Sequence, residues 1–564
     1  KQAGKPTIVI SRSADATPIT VTPRASRRQP RTLPHLIPSV APVAVGAAES
    51  AESAESIARA PQDDTPAQPM PPAISAATGA TAASREGEGE DEDDAGSRII
   101  QLELNDLAYG GDAVGRYEGR AIFVAGGLPG ELVRARLIRE RSSYARAALV
   151  EVLRASPERV APRYPELADS GGFQWQHLAY PAQVAWKSRI VRQLLMRVGH
   201  FANPPVAPTL GMPADADPWR YRTVAQFAIG AAGEIGFRRT ESHAVIDMPT
   251  CPIVHPTLDA FYQGVRDWLR SAWGADAADY VERFTLRVAG VAPGGREATG
   301  AGADEPWRTG EDQDTYRDAE VGLLTLEARP GGAIDAFGGP EAVGEAICHA
   351  VAGLAGVVIL GMAGGRGRVV VGQDFVHEHV LDRRFRISAG SFFQVNPTQT
   401  PTLVRTALAA LRPQPGDWAL DGYSGVGLFS LFLADHVTHV RAIESQPSAV
   451  ADARASVTLN GVSNVSITEG VLERTLGELR SQRERADIAL VDPPRSGCHP
   501  RALAGITALR PRALVYVSCD PSTLARDLRL ICDAGYSLTS VQPVDMFPFT
   551  AHIECVALCE RVDG

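Results

Sequence analysis

Paired cysteines, long apolar runs and an excess of basic charge are all missing from this 564-residue sequence. Its seven cysteines are odd in number and scattered, at positions 251, 348, 498, 519, 532, 555 and 559. That pattern excludes a disulfide framework of the kind that staples small secreted domains, and it points to a reducing, cytoplasmic compartment. Cys251, Cys348, Cys498 and Cys532 lack partners at metal-ligand spacing, so no metal site is expected. No stretch reaches the about eighteen consecutive apolar residues of a membrane span; even Ala419–Ala434 is broken by Asp, Ser and Gly. With 56 basic against 66 acidic residues the formal charge is −10, which taken alone argues against a nucleic-acid partner, because phosphate binding needs clustered Lys and Arg.

Aromatics are nearly absent from residues 1–97, which are rich in Ala, Pro, Ser and Thr and close on the acidic run Glu86–Asp94. Such a segment cannot bury enough apolar surface to offset the entropy of ordering, so a disordered tail is expected there. Its first thirty-odd residues are Arg-rich and acid-poor, as transit peptides are, but no periodic apolar face accompanies them, and no targeting role is assigned. Part of the negative charge therefore lies outside any folded region.

What is present supports two to four domains and at least one large core, given 44% hydrophobic residues. From 98 to 156 short β-branched runs alternate with Gly-rich turns, the pattern of a small all-β barrel. Arg134, Arg136, Arg139, Arg141, Arg146 and Arg154 surround Tyr144 there; basic residues interleaved with an aromatic suit RNA, and a solvated strand face suits them equally. Residues 157–385 mix helical segments (Leu178–Val198, Pro340–Ala355) with strands (Val224–Ile229, Phe284–Val288, Leu323–Glu327, Arg368–Val371), an α/β middle domain. Within it, 291–318 is Gly-rich, charged and aperiodic, a flexible insertion with no assigned chemistry. From 386 to 564 the apolar runs Trp418–Asp421, Val437–Ile443, Val465–Ile467, Ile488–Val491 and Leu514–Val517 each lead into a turn and a helix-like stretch, which predicts βαβ units and a parallel-rich, doubly wound sheet. Ligands of such sheets bind at the carboxyl ends of the strands.

The motifs fall at those ends. Asp421-Gly422-Tyr423-Ser424-Gly425-Val426-Gly427 follows the first strand and opens the helix Leu428–Ala434; its glycines let a ligand approach the backbone, although a lone glycine-rich turn is weak evidence. The second strand ends in Glu444, placed to accept from both hydroxyls of a ribose. That pair suits NAD and S-adenosylmethionine alike, but the pyrophosphate-binding G-x-G-x-x-G is missing, which favours the methyl donor. The fourth strand ends in Asp492-Pro493-Pro494-Arg495, a rigid extended turn able to present a carboxylate to a flat ring. After the fifth comes Cys519. A lone cysteine is usually inert core, but one at the rim near a helix start can become a thiolate nucleophile. Glu554, ahead of the strand Cys555–Cys559, can reach the same rim as a base.

Together these stretches resemble the RNA 5-methyluridine methyltransferase family from roughly Arg98 to the C-terminus. The resemblance is carried by Ser391-Phe392-Phe393-Gln394-Val395-Asn396, Asp421–Gly427, Glu444, Asp492–Gly497, Ser518-Cys519-Asp520-Pro521 with Thr523–Asp527, and Asp545–Glu554. The barrel resembles the OB-like TRAM module, and Trp219–Arg222 with Gly236–Arg239 match the family's middle domain. The resemblance implies a Rossmann-like methyltransferase domain, Cys519 as nucleophile on carbon 6 of uracil, and Glu554 as the base that frees carbon 5 of its proton. It implies S-adenosylmethionine as the cofactor, held by Gln394, Asp421, Tyr423, Gly425, Gly427, Glu444 and Asp492. RNA is the implied partner, met by Phe392, Phe393, Arg495 and Arg222. Ribosomal RNA is favoured, with the uridine-54 position of transfer RNA as alternative and a catalytically silent RNA-binding factor as another; a monomer is expected. A 5-methylcytidine enzyme is disfavoured, because the fourth strand ends in Asp492-Pro493-Pro494 where those enzymes carry a Pro-Cys turn. Two departures stand out. Positions that hold iron–sulfur ligands in many TRAM-bearing members are Tyr164, Ser170 and Phe173, leaving only Cys251, so no cluster is expected. Phe549 stands where the family commonly has Gln.

Overall fold

The computed structural model describes residues 98–240, 242–290, 320–329, 334–362, 367–481 and 485–562. The tail expected at 1–97 and the insertion expected at 291–318 lie outside the described residues.

Alternation of apolar and polar residues, as in Ile99–Leu107, turns one face of each early strand inward. Five strands (Ile99–Leu107, Ala113–Tyr117, Arg120–Ala125, Leu132–Glu140, Tyr144–Arg154) close into a barrel, with the fourth pairing back on the first. Several of its arginines are matched to acids: Arg134 pairs with Glu151, and Arg154 with Glu103. Arg136, Arg139 and Arg141 have no ion-pair partner among the described residues.

A seven-stranded sheet follows in the order Gly367–Gly372, Leu354–Met362, Val321–Ala328, Val281–Ala289, Val224–Ile229, Ile235–Arg238, Val245–Asp247. Neighbours run antiparallel except for the Val321–Ala328 and Leu354–Met362 pair. Its core is aromatic, with Phe227 stacked on Tyr262 at 4.1 Å between centroids and Phe284 at 5.3 Å from Phe227. The expected helix Pro340–Ala355 ends at Ala350, and Leu354–Met362 is a strand. Its run of Val and Ile suits the sheet, and Gly353 in the left-handed region (φ 91°) breaks the chain between the two.

The last sheet has the order Val465–Glu469, His439–Glu444, Trp418–Gly422, Ile488–Val491, Ala513–Ser518, Glu554–Arg561, Tyr536–Val544. The first five strands are mutually parallel, and Glu554–Arg561 runs antiparallel to both of its neighbours, so the edge strand Tyr536–Val544 shares the direction of the first five. A hairpin, Phe375–Val380 with Arg383–Ser388, precedes this sheet. The junction expected at 385 falls inside that hairpin, because Phe385 and Ile387 bury their side chains in the same core as Val440 and Val515 of the last sheet. Asp452, fully buried on the helix Pro447–Leu459, accepts from Ser388 N at 2.8 Å and Ser388 Oγ at 2.7 Å and ties the hairpin down. No helix among the described residues is long and apolar enough to cross a membrane.

Candidate active site

Five parallel strands send their carboxyl ends to one edge, and the chemistry-bearing residues collect there. The turn after Trp418–Gly422 needs left-handed backbone at Tyr423 (φ 60°), Gly425 (φ 55°) and Gly427 (φ 88°). Glu444 fixes its shape: Oε2 accepts from Gly425 N at 2.9 Å, while Oε1 accepts from Ser445 N and Gln446 N, both at 2.7 Å. A Cβ added at Gly425 would meet nothing within 4 Å, so the turn borders open space. Beside it Asp421 is fully buried, with Oδ2 accepting from Ser430 Oγ at 2.5 Å and Oδ1 without a partner. Burial, together with the nearby Asp492 and Glu444 charges, pushes Asp421 up to about 7, although the Ser430 bond opposes the rise. An open glycine cradle with a ribose-directed carboxylate and an orphaned buried acceptor fits an adenosine-bearing donor. Gln394, in the segment Ser391–Asn396, is buried.

Cys519 occupies the bend between the fully buried strand Ala513–Ser518 and the helix Pro521–Asp533. It is half-buried. Asp520 caps that helix, its Oδ1 accepting from Ser522 N at 2.9 Å and Thr523 N at 3.0 Å. Glu554 opens the neighbouring antiparallel strand, one position beyond the Ser518 and Cys555 pair, and is 3% exposed. Asp492 follows Ile488–Val491, its N donating to Gly422 O at 3.3 Å. The side chains deprotonate with difficulty. Burial first, then the Glu554 and Asp492 charges, pushes the Cys519 thiol up to about 12, against the pull of Arg495. Burial and Asp492 push Glu554 well above the usual carboxylate range, again opposed by Arg495. Asp492 is half-buried, and desolvation pushes it up to about 7. The resting site therefore holds a neutral thiol at neutral pH and favours the protonated form of Glu554.

The Asp492–Cys498 loop is clamped to the helix behind it. Thr523 Oγ1 donates to Arg495 O at 3.1 Å, and Asp527 Oδ2 accepts from Cys498 N at 2.8 Å and Tyr516 Oη at 2.6 Å. Gly497 is required: a Cβ there would lie 2.5 Å from both Arg526 Nη2 and Asp527 Oδ2. The Asp545–Ile553 loop, which delivers Glu554, is held from the helix Tyr180–Arg197. Lys187 Nζ and Asp545 Oδ1 lie 2.6 Å apart with both side chains fully buried, and Lys187 also donates to Phe547 O at 2.9 Å. Tyr180 Oη donates to the other Asp545 oxygen at 2.8 Å.

Two of the expected substrate residues part company. Phe392 is 72% exposed and free to meet a ligand, whereas Phe393 is 5% exposed and packs on Phe385 at 5.5 Å, so Phe393 has no face left for a base. Arg495 projects over the rim and Arg222 approaches from the middle sheet; with Lys187 their charges add to burial in holding His552 down to about 3. His552, Lys187, Tyr109 and Asp520 belong to the site's surroundings and went unread in the sequence. A lysine on the apolar face Gln183, Lys187, Ile190, Leu194 of a helix was the available signal, because such a charge requires a buried counterpart.

The four positions at which the resemblance would place cluster ligands do not fit one. Phe173 and Cys251 are fully buried, Ser170 Oγ donates to Leu167 O at 2.9 Å, and Tyr164 meets Trp219 edge to face at 5.3 Å. Burial pushes the single thiol, Cys251, up to about 12. Phe549 adopts φ 62° and stacks on Trp219 at 3.8 Å, so the second departure closes onto the first.

A half-buried cysteine, a buried acid and an open glycine turn thus meet on one sheet edge. The tRNA (Uracil-5-)-methyltransferase family profile matches residues 350–562. An uncharacterised RNA methyltransferase of Halalkalibacterium halodurans is 36% identical over 471 residues, 82% of this chain and 97% of that protein. Another, from Gloeobacter violaceus, is 35% identical over 476 residues with the same coverage. The crystal structure of the Pyrococcus abyssi tRNA (uracil-54, C5)-methyltransferase in complex with S-adenosyl-L-homocysteine superposes with a TM-score of 0.59, over 81% of this chain and 99% of that one, at 23% identity. The chain belongs to the uracil-5-methyltransferase family of RNA methyltransferases.

Proposed function

We propose that the protein methylates carbon 5 of a uridine in RNA, with S-adenosylmethionine as donor and Cys519 as covalent nucleophile. The observation that carries this reading is the adjacency of Cys519 and Glu554 at the edge where the Gly425 turn and Asp492 also end. Gln394, Asp421, Tyr423, Gly425, Gly427, Glu444 and Asp492 hold the donor. Bound S-adenosylmethionine would supply an electrophilic methyl group, its S–CH3 bond breaking to leave S-adenosylhomocysteine. As thiolate, Cys519 Sγ adds to carbon 6, and the displaced π electrons make carbon 5 nucleophilic enough to take that methyl. Glu554, once ionised, removes the carbon 5 proton; the C5=C6 bond re-forms and the Sγ–C6 bond breaks, returning the thiolate. Phe392 stacks on the target base, which must be splayed from its neighbours, and Arg495 and Arg222 face the RNA backbone.

In this reading residues 98–156 are a TRAM-type barrel, the residues from 157 to the Phe375–Ser388 hairpin a middle domain, and that hairpin with the chain to 564 a Rossmann-like catalytic domain of a cytoplasmic monomer. Large-subunit ribosomal RNA is the favoured substrate, because the barrel is a fused RNA-binding module with Arg136, Arg139 and Arg141 free for phosphates. The likeness to an archaeal tRNA uracil-54 enzyme favours transfer RNA as the second reading. The test is incubation with labelled donor and total RNA, followed by mapping of the methylated residue. Label at a ribosomal uridine supports the first reading, label at uridine 54 of transfer RNA the second, and no label at any uridine overturns both in favour of a silent RNA-binding factor.

A further inference from the structure

The barrel turn Ala108–Asp112 reaches the rim of the last sheet. Ala108 N donates to Asp112 O at 2.9 Å and Gly111 N to Ala108 O at 3.0 Å, a tight turn that needs positive φ at Gly110 (106°) and Gly111 (103°). The turn is seated on the catalytic side. Trp175 Nε1 donates to Gly111 O at 3.2 Å, and a Cβ at Gly111 would stand 3.0 Å from that nitrogen and 3.2 Å from Ala551 Cβ, three residues ahead of Glu554. From this seat Tyr109 Oη donates to Asp520 Oδ2 at 2.9 Å.

Both oxygens of Asp520 are thereby committed, Oδ1 to the helix N-terminus and Oδ2 to the barrel. Ser518 Oγ donates to Asp520 O at 3.0 Å and Asp520 N donates to Ser518 Oγ at 3.2 Å, so the bend that carries Cys519 is fixed on both sides. We propose that Tyr109 is a positioning residue for the nucleophile, so that the barrel completes the catalytic rim as well as adding RNA-binding surface. The proposal rests on the assignment of Cys519 as nucleophile.

The physical link is charge. Cys519 faces Glu554, Asp492, Arg495, Asp520, Tyr109 and Cys555. Burial, Glu554 and Asp492 oppose the thiolate most, and Asp520, which directly follows the thiol, adds a smaller opposing charge. A hydroxyl donor on Oδ2 draws that charge towards the barrel and, with the cap bonds on Oδ1, holds the carboxylate in one orientation. Burial pushes the Tyr109 phenol upward, so it remains a donor throughout the working pH range.

The experiment compares the full-length protein with its Tyr109→Phe variant, which removes one oxygen and keeps the ring. The first readout is the pH profile of Cys519 alkylation by iodoacetamide, followed by peptide mass spectrometry, which needs neither RNA nor donor. The second is kcat and KM with the RNA found to be methylated. The profile should move to higher pH by about one unit and kcat should fall about tenfold, as expected for a lost bond to a charged group, while KM for RNA changes less than about twofold. In an Asp520→Asn background, where no charge remains to be drawn away, Tyr109→Phe should leave the profile in place. Gly111→Ala, which lifts the turn from Trp175, should move the profile in the same direction and serves if Tyr109→Phe lowers the melting temperature. An unchanged alkylation profile, or a raised KM with kcat intact, would overturn the proposal. A wild-type enzyme that methylates no uridine would instead overturn the proposed function, and the alkylation comparison would still be readable.

Discussion

Two seven-stranded sheets lie in this chain, and each brings a thiol to a buried carboxylate. Cys251 N donates to Asp259 Oδ1 at 2.7 Å beside the middle sheet, and Cys519 neighbours Glu554 on the last one. Burial pushes both thiols up to about 12. Acidity therefore does not separate them; place does. In the middle sheet most neighbours alternate in direction, so strand ends are shared between both edges and no edge collects loops. In the last sheet five parallel strands deliver their carboxyl ends, and the turns that follow, to one edge. Cys251 is sealed among aromatics, whereas Cys519 stays half-open beside a helix N-terminus and a glycine turn. The cost of the open edge is a set of acids, the buried Asp421 and Glu554 and the half-buried Asp492, in place of the Phe227, Tyr262 and Phe284 stack.

The sharpest way to break this contrast is to delete each thiol. Cys519→Ala should abolish methyl transfer, whereas Cys251→Ala should keep kcat and lose only about 1 kcal/mol of stability by denaturant titration. A fully active Cys519→Ala enzyme would end the nucleophile assignment. Glu554→Gln should slow turnover by about 10²–10⁴-fold and accumulate a protein–RNA adduct visible on a denaturing gel, because elimination lacks its base; fast turnover with no adduct would contradict that role.

Lys187→Met leaves Asp545 buried and uncompensated, for an expected loss of about 3–5 kcal/mol read from the unfolding midpoint. A loss under about 1 kcal/mol would mean that the pair does not hold the Glu554 loop. The neighbouring phenylalanines should separate by readout. Phe392→Ala should weaken RNA binding by about 1–3 kcal/mol of lost stacking at unchanged stability, while Phe393→Ala should cost about 3–5 kcal/mol of stability. The reverse pattern would mean that the base stacks elsewhere.

The smallest effect concerns pH. Burial raises Asp421 from the ordinary aspartate range to about 7, so the folded state binds the extra proton between those values. Its contribution to stability is therefore retained below the unfolded value near 4 and lost as pH rises through about 7. Asp421→Asn should flatten the melting temperature across that window relative to the wild type; parallel curves would show that Asp421 ionises freely.

Much of the C-terminal region was legible, because strand-ending motifs such as Asp421–Gly427 and Ser518–Asp520 carry their own local signals of apolar run, turn and helix start. The middle sheet was harder. Leu354–Met362 takes its parallel partner from Val321–Ala328, about thirty residues earlier, and its Val and Ile fit a helix end as well as a strand until Gly353 is seen to break the chain. Phe392 and Phe393 are adjacent and identical, and nothing local says which one turns inward.

By itself the sequence determined the order of the strands and the kinds of group at their ends, since glycine, proline, cysteine and carboxylate at a turn constrain the chain wherever it lies. Only the tertiary structure decided which of these groups meet. Tyr109 and Asp520 are 411 residues apart, and Lys187 and Asp545 are 358. Contacts over such separations depend on how sheets and barrel pack, which no short-range pattern encodes.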